Sequence, residues 1–288
     1  MPVTNIHHLP DPVVRALLSY ESKQEKVKGL RVTTLIDSPR ISQLKQRHKG
    51  GYTEDVSEMT YRILGSAMHE VFRGAASNSY VVEERLTHEI DSITVSGQMD
   101  YQFIEADGSV DLKDYKMTSV YAVTGGVKPE WKKQLNTYAW LIRHAKGLTV
   151  ASASIIAVLR DWRQANANRR SDYPPSPIHE VSVQLWPEEE QDAYVRERVR
   201  LHRIAELAAE FDDLPPCSNE ERWMKRAVWA VYKGNNQRAL KLFDDEAPAQ
   251  EFASQSTDRK VVERPATYAR CAGNYCRVAQ HCTQYKGE

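Results

Sequence analysis

Two acids and a lysine mark where this 288-residue chain could do chemistry. Asp114 and Lys116 stand two apart, inside the apolar–polar run that holds Val110, Leu112 and Tyr115. Side chains two apart on a strand project to one face, so the carboxylate and the ammonium point together. Asp100 lies in the preceding run, Ile93 to Phe103, which is rich in β-branched and aromatic residues, and Asp107-Gly108 supplies a turn signal between the two. The pair reads as a β-hairpin, and in-register pairing lets Asp100 face Asp114 and Lys116. Such a trio makes a poor core, because a buried charge is costly unless it is paired or metal-bound. It suits a metal-dependent hydrolytic site instead. The acids would hold a hard divalent cation through oxygen ligands, and the lysine would orient a water and offset phosphate charge.

Several elements must position this trio. Met59, Ile63, Leu64, Ala67, Met68, Val71 and Phe72 recur at helical spacing and predict a helix from Ser57 to Ala75. His69 lies beside that stripe, four residues after Gly65, with Glu70 as a neighbour. One reading makes His69 a satisfied interior residue. In the other its neutral imidazole joins the acids around manganese or magnesium. Val81 to Ile90 reads as a strand carrying Glu83, Glu84 and Glu89, any of which could complete the metal site; spacing does not choose among them. Pro129 opens a helix over Glu130 to Ala145 with Leu135, Ala139 and Ile142 as its apolar stripe. Gln134 and Tyr138, at i and i+4, share a face of that helix, as a plain surface pair or as part of the site.

The order Gly65-x-x-x-His69, Gly97-x-x-Asp100, Asp114-x-Lys116, Gln134-x-x-x-Tyr138 resembles the RecB-type branch of the PD-(D/E)xK nuclease superfamily. It is similar to the phage exonucleases of that branch and to the iron–sulfur nucleases of CRISPR adaptation. The resemblance covers residues 60–145 and the C-terminal cysteines, and Met99 stands where the pattern has proline before its first acid. It implies a restriction-endonuclease-like core in which His69, Asp100 and Asp114 bind magnesium or manganese. It also implies that Lys116 positions the attacking water, and that Gln134 and Tyr138 lie near the scissile phosphate or that water.

The rest of the chain sets the frame. Apolar content of 41% and charged content of 27% are ordinary for a soluble protein, and the length allows one sizeable core, or one core with an appended small module. No apolar run is long enough for a membrane span, and the N-terminus carries no basic region followed by an apolar core, so neither a membrane role nor a secretory signal is expected. A formal net charge of zero argues against coating nucleic acid non-specifically, though not against a local basic groove. Val13 to Tyr20 is a short helical pattern in a polar arm, and Leu30 to Ile36 is β-branched. Ser38-Pro39 starts a helix or turn, and Ile41 to His48 is helical and basic through Lys45, Arg47, His48 and Lys49. Val150 to Leu159 is a central strand, and Asp161 to Ser176 is a flexible polar loop. Arg160 before that loop, and Arg163, Arg169 and Arg170 within it, suit phosphate contact. Ile178 to Leu185 is a further strand, and a long helix runs from Trp186 to Phe211 with acids at its N-terminus. A small hairpin and an acidic helical piece follow.

The four cysteines fit a reducing, cytoplasmic compartment, the host cytoplasm for a phage-encoded protein. Cys271-x4-Cys276-x5-Cys282 is tightly spaced, and Cys217 stands far upstream. Four thiolates suit an iron–sulfur cluster or structural zinc, and free or paired thiols are the plain alternative. The resembled iron–sulfur nucleases favour a [4Fe–4S] cluster, although there the remote cysteine precedes the nuclease motifs and here it follows them.

The sequence therefore reads as an α/β protein, a mixed sheet flanked by helices with a cysteine-tied C-terminal extension. Its expected parts are an N-terminal arm over 1–56, a nuclease core over 57–214 and the extension over 215–288. The expected function is a metal-dependent deoxyribonuclease, an exonuclease acting on single- or double-stranded DNA ends in recombination, repair or phage replication. A recombination or annealing protein would be its partner. Alternatives are an end-binding accessory module with an inactive core, or a restriction-type endonuclease.

Overall fold

The computed structural model describes residues 2–21, 29–74, 80–273 and 275–285. Part of the expected N-terminal arm (22–28), the Ala75 end of the expected helix and Asn274 between the cysteines lie outside the described residues. Two compact units are present, Met1–Asp37 with Lys49–Glu206, and Ser38–His48 with Leu207–Glu288. Where the sequence suggested 215 as the start of the extension, the second unit begins at Leu207 and takes in Ser38–His48.

The first unit is a mixed α/β fold. In chain order it holds α1 (Asp11–Glu21), β1 (Leu30–Arg31), α2 (Thr60–Arg73), β2 (Tyr80–Ile90), β3 (Ile93–Ile104), β4 (Val110–Thr118), α3 (Pro129–Lys146), β5 (Val150–Leu159), β6 (Ile178–Ser182) and α4 (Glu188–Leu207). The sheet order is β1-β3-β4-β5-β6, with β2 paired to β3. β4 and β5 run parallel, as do β1 and β3, while the β2–β3, β3–β4 and β5–β6 pairs are antiparallel. The expected hairpin is present. Its turn is Glu105–Gly108, closed by Gly108 N–H donating to the Glu105 carbonyl, with Gly108 at φ +84°. Glycine takes that left-handed value without the steric cost a side chain would add.

The core lies between sheet and helices. Val95, Met99, Leu112 and Ile155 from the strands meet Leu135, Trp140, Leu141 and Ile142 of α3 and Val195 and Val199 of α4. Trp131 to Ile142 is buried over most of its length, so α3 is a central helix rather than a surface one. Two readings of the sequence change here. Leu30 to Ile36 makes two strand residues and then a helical turn at Val32–Leu35, because Val32 and Leu35 sink into the core together. The stretch 161–176, polar enough to read as a flexible loop, is pinned. Trp162 Nε1 donates to the Pro174 carbonyl at 2.8 Å, and Tyr173 is buried with its hydroxyl accepting from Arg163 N–H at 3.0 Å.

The second unit contains a three-stranded antiparallel sheet, Lys241–Phe243 beside Val228–Lys233 beside Arg259–Arg264, covered by the helix Glu246–Ser254 through Val231, Ala249 and Ala253. The Pro39–Arg47 helix starts as expected, with proline at its first position and the Ser38 side chain capping the Ile41 N–H. Among the described residues no helix is long and apolar enough to cross a membrane.

Candidate functional site

β3 is shared along one edge. Its C-terminal half pairs with β4, from Ile104↔Val110 to Tyr101↔Lys113, and its N-terminal half pairs with β1 at Val95 and Ser96. Between them lies the Gly97–Asp100 stretch, which carries the glycine and the acid of the Gly-x-x-Asp pattern. At the next step beyond Tyr101↔Lys113, Asp100 Oδ2 accepts the Tyr115 N–H at 2.7 Å. A carboxylate here takes a donor that a strand carbonyl would otherwise take. On the other edge of β3, the β2 register runs Val82↔Tyr101 and then Glu84↔Met99, which sets Glu83 across from Asp100. Glu83 has φ +54°, left-handed backbone that a glutamate rarely adopts. Such strain persists only where surrounding structure imposes it, and it clusters at functional sites.

Three ligand-type side chains converge at that point. His69 from α2, Glu83 from β2 and Asp100 from β3 each offer a ligand atom within 4.8 Å of the others. His69 Nδ1 lies 3.1 Å from Glu83 Oε1 and 3.4 Å from Asp100 Oδ1. Glu83 Oε2 accepts from Gln98 Nε2 at 2.5 Å, and Gln98 Oε1 accepts from Arg85 Nη2 at 2.6 Å, so a polar chain braces the glutamate. Of the three acids that spacing left open, Glu83 is the one in the group. Glu84 instead accepts from Gln102 Nε2 and Lys146 Nζ, each at 2.8 Å, and Glu89 is exposed.

Asp114 and Lys116 project together, with Nζ 2.6 Å from Asp114 Oδ2. Asp114 is 1% exposed, and the Lys116 ammonium is the charged partner of that buried oxygen. Its Oδ1 accepts from Gln134 Nε2 at 3.0 Å, and the same amide nitrogen donates to the Tyr138 hydroxyl at 2.9 Å. Gln134 and Tyr138 are both buried, so they stand behind Asp114 and hold it rather than facing solvent. Asp114 lies outside the three-residue group that converges at His69.

The glycine of the Gly97-x-x-Asp100 motif has a steric reason. A Cβ at Gly97 would lie 2.8 Å from Tyr138 Cε1 and 2.9 Å from Leu141 Cδ1. Both neighbours belong to the core and cannot swing away, so overpacking of about 1–3 kcal/mol is expected for Gly97→Ala. Thermal unfolding should show a Tm lower by about 2 °C or more, and an unchanged Tm would contradict this packing.

The electrostatics follow from burial and crowding. Burial, then the neighbouring Asp114, pushes Asp100 up to about 7 against the pull of His69, Lys116 and the Tyr115 N–H. The Glu83 hydrogen bond, with the Asp100 and Asp114 charges, raises His69 against the effect of burial. Burial disfavours the Glu83 carboxylate, but the hydrogen bond and charge of His69 outweigh it and hold Glu83 below its ordinary range. Burial also disfavours the Lys116 ammonium, yet Asp114 and Asp100 raise it. Burial, then Asp114 and Asp100, raises the Tyr138 phenol, which stays protonated. A carboxyl raised in the folded state holds its proton there when the unfolded chain has lost it, so metal-free stability should fall as pH rises from about 4 through about 7. His69, raised likewise, has the same sign. Melting curves in EDTA across that window should show the decline, and Asp100→Asn should remove much of it; a flat profile in the unaltered protein would contradict the assignment.

The four cysteines are free thiols. All four line one small cavity of the second unit, with Ile41, Leu44, Arg222, Arg270 and Tyr285 among the other walls. Gln284 brings Cys217 there: its Oε1 accepts the Cys217 N–H at 2.8 Å and its Nε2 donates to the Cys217 carbonyl at 2.9 Å. Ser38 Oγ lies 3.0 Å from Cys217 Sγ, within hydrogen-bond reach, and accepts the Ile41 N–H. Burial pushes the Cys217 thiol up to about 12 and raises Cys276. Among the described residues no three of these sulfurs lie within 4.8 Å of one another, so no iron–sulfur cluster is evident from their spacing.

Compared with solved structures, the chain is similar to SSO0001, with a TM-score of 0.45 and 16% identity over 66% of this chain and 85% of that one. It is also similar to LHK-Exo in complex with dAMP, with a TM-score of 0.35 and 13% identity over 61% of this chain and 86% of that one. No family model matches the chain, and no curated protein matches it in sequence.

Proposed function

We propose that the first unit is a divalent-metal-dependent deoxyribonuclease, acting exonucleolytically at DNA ends in recombination, repair or phage replication. One observation carries the reading: a histidine and two carboxylates converge within 4.8 Å, beside a buried aspartate whose partner is a lysine. The donor set fits a hard or borderline cation, magnesium or manganese. His69 through a ring nitrogen and Glu83 and Asp100 through oxygens would hold the ion, and Asp114, paired with Lys116, is a further carboxylate available to it or to its water. When bound, the ion supplies Lewis-acid polarisation of a phosphate oxygen and an activated water.

The chain's own groups do the rest. Lys116 stays an ammonium, so it is unsuited to act as a base. It donates hydrogen bonds to water or phosphate, and it offsets charge that builds on the phosphate oxygens in a site already fixed before reaction. Gln134, steadied by the Tyr138 hydroxyl, fixes the rotation of the Asp114 carboxylate. The Tyr115 N–H fixes Asp100. In the second unit the cysteines are proposed to hold a [4Fe–4S] cluster. Structural zinc, which four thiolates also suit, is the alternative.

Linear and covalently closed circular DNA, incubated with the protein and manganese, test this reading. An exonuclease degrades only the linear form, an endonuclease opens both, and an inactive end-binding module leaves both intact; either of the last two outcomes overturns the exonuclease reading. His69→Ala is expected to weaken manganese binding more than it lowers the Tm. An unchanged metal titration with a lowered Tm would make His69 a structural residue.

A further inference from the structure

Beyond the metal-binding residues, an aromatic and basic surface adjoins the carboxyl ends of β4 and β5. Tyr61, in the first turn of α2, is 60% exposed, and the Arg160 guanidinium lies 4.5 Å from its ring centroid. Arg160 follows β5 directly, and its N–H donates to the Thr118 carbonyl at the end of β4 at 2.9 Å. Thr118 stands two residues past Lys116, about 7 Å along a strand. Tyr121, 85% exposed, begins the helical turn just beyond, and Val120 N–H donates to the Asp161 carboxylate at 2.8 Å. One hydrogen-bonded corner therefore carries two exposed tyrosines and an arginine.

Neither tyrosine is where burial would put it, and neither is needed to close the core. Tyr61 shares α2 with His69, eight residues away and about 12 Å along a helix. Arg160 covers one face of the Tyr61 ring, holds it in place and keeps a charged edge toward solvent. An aromatic ring backed by a guanidinium is the pairing that stacks on a nucleobase of any sequence while contacting the adjoining phosphate. A base inside a duplex presents no free face, so the partner must be unpaired.

We infer that Tyr61, Arg160 and Tyr121 form a stacking platform for unpaired bases of a DNA strand leading to the site around Lys116. The inference deepens the nuclease reading and rests on it for the direction of the strand, while the binding itself is measured apart from cleavage. The platform makes a single-stranded end or overhang the preferred substrate. Arg163 and Arg169, exposed in the adjoining loop, add charge for the backbone but no base contact.

Fluorescence anisotropy in EDTA tests it, with a labelled oligothymidylate and a labelled blunt duplex of equal length and the full chain. Tyr61→Ala and Tyr121→Ala should each lower single-strand affinity about tenfold, within the range for one stacked base, and leave duplex affinity within about twofold. Tyr61→Phe should restore single-strand affinity, since stacking needs the ring and not the hydroxyl. Single-strand affinity unchanged in both alanine variants overturns the platform. So does an equal loss on both ligands, which marks a general structural or charge effect, or absence of binding to either ligand. Cleavage assays with manganese on the same preparations keep the two ideas apart. A protein that cuts, with alanine variants that bind normally, loses the platform and keeps the nuclease reading. One that binds selectively through Tyr61 but never cuts keeps the platform and loses the nuclease.

Discussion

Asp100→Ala and Asp114→Ala are each expected to lower manganese-dependent cleavage by about a hundredfold or more, a loss of roughly 2.7 kcal/mol in the barrier. DNA affinity in EDTA should stay within about threefold, because neither carboxylate attracts phosphate. The two losses have different origins. Asp100 shares a converging group with His69 and Glu83, so its removal should weaken manganese binding directly. Asp114 is the partner of Lys116 and the acceptor of the Gln134 amide, so its removal also leaves the lysine unpaired and only partly exposed. Asp114→Asn keeps the shape and an acceptor for Gln134, and it is the cleaner variant for activity. Lys116→Gln should cut as poorly while binding manganese nearly normally, since the ammonium repels the ion. Any of the aspartate variants that still cuts at more than about a tenth of the normal rate, under about 1.4 kcal/mol, removes that residue from the essential set.

The positions that sequence reading located are those fixed by short-range geometry. Asp114 and Lys116 share a face because strand period is two, which lets the long lysine side chain reach the carboxylate at 2.6 Å. Gln134 and Tyr138 share a face because helix period is near four, and the hydrogen bond between them follows likewise. What they face was not legible. Periodicity shows a surface pair and a buried pair alike, and only the packing of α3 on β3 over Gly97 decides that these two stand behind Asp114. The choice of Glu83 over Glu84 and Glu89 needed the β2–β3 register, a long-range quantity. Had that register been known, alternation would have set Glu83 opposite Asp100 and Arg85 opposite Gln98. The left-handed backbone at Glu83 has no sequence signal at all, since it is imposed by the surroundings and not favoured by the residue. Tyr173 and Trp162, anchoring a stretch read as flexible, show the same limit: composition averages over a loop, while two aromatic side chains suffice to pin it.

Cys276→Ala is expected to strip bound metal from the protein and to lower its melting temperature, with cleavage lost only as the fold fails. The second unit gives the reason. The cluster of Val231, Ala249 and Ala253 under the three-stranded sheet is small, and small modules commonly draw stability from a metal, a disulfide or a partner. No disulfide supplies it, for the four cysteines are free, and all four line one cavity to which Gln284 and Ser38 fasten the remote Cys217. The Ser38 contact favours the thiolate that a metal would need, while burial, the larger effect, keeps the metal-free thiol protonated. Metal analysis of anaerobically purified protein decides the identity. A brown protein with stoichiometric iron and sulfide carries a cluster, and a colourless one with a single zinc carries the smaller ion. Ser38→Ala should leave the metal in place but make it easier to remove with a chelator, which a purely helix-capping serine would not do. If the purified protein holds neither metal, and a variant lacking all four cysteines melts as the unaltered chain does, the staple is refuted. The cavity would then be lined by ordinary buried thiols.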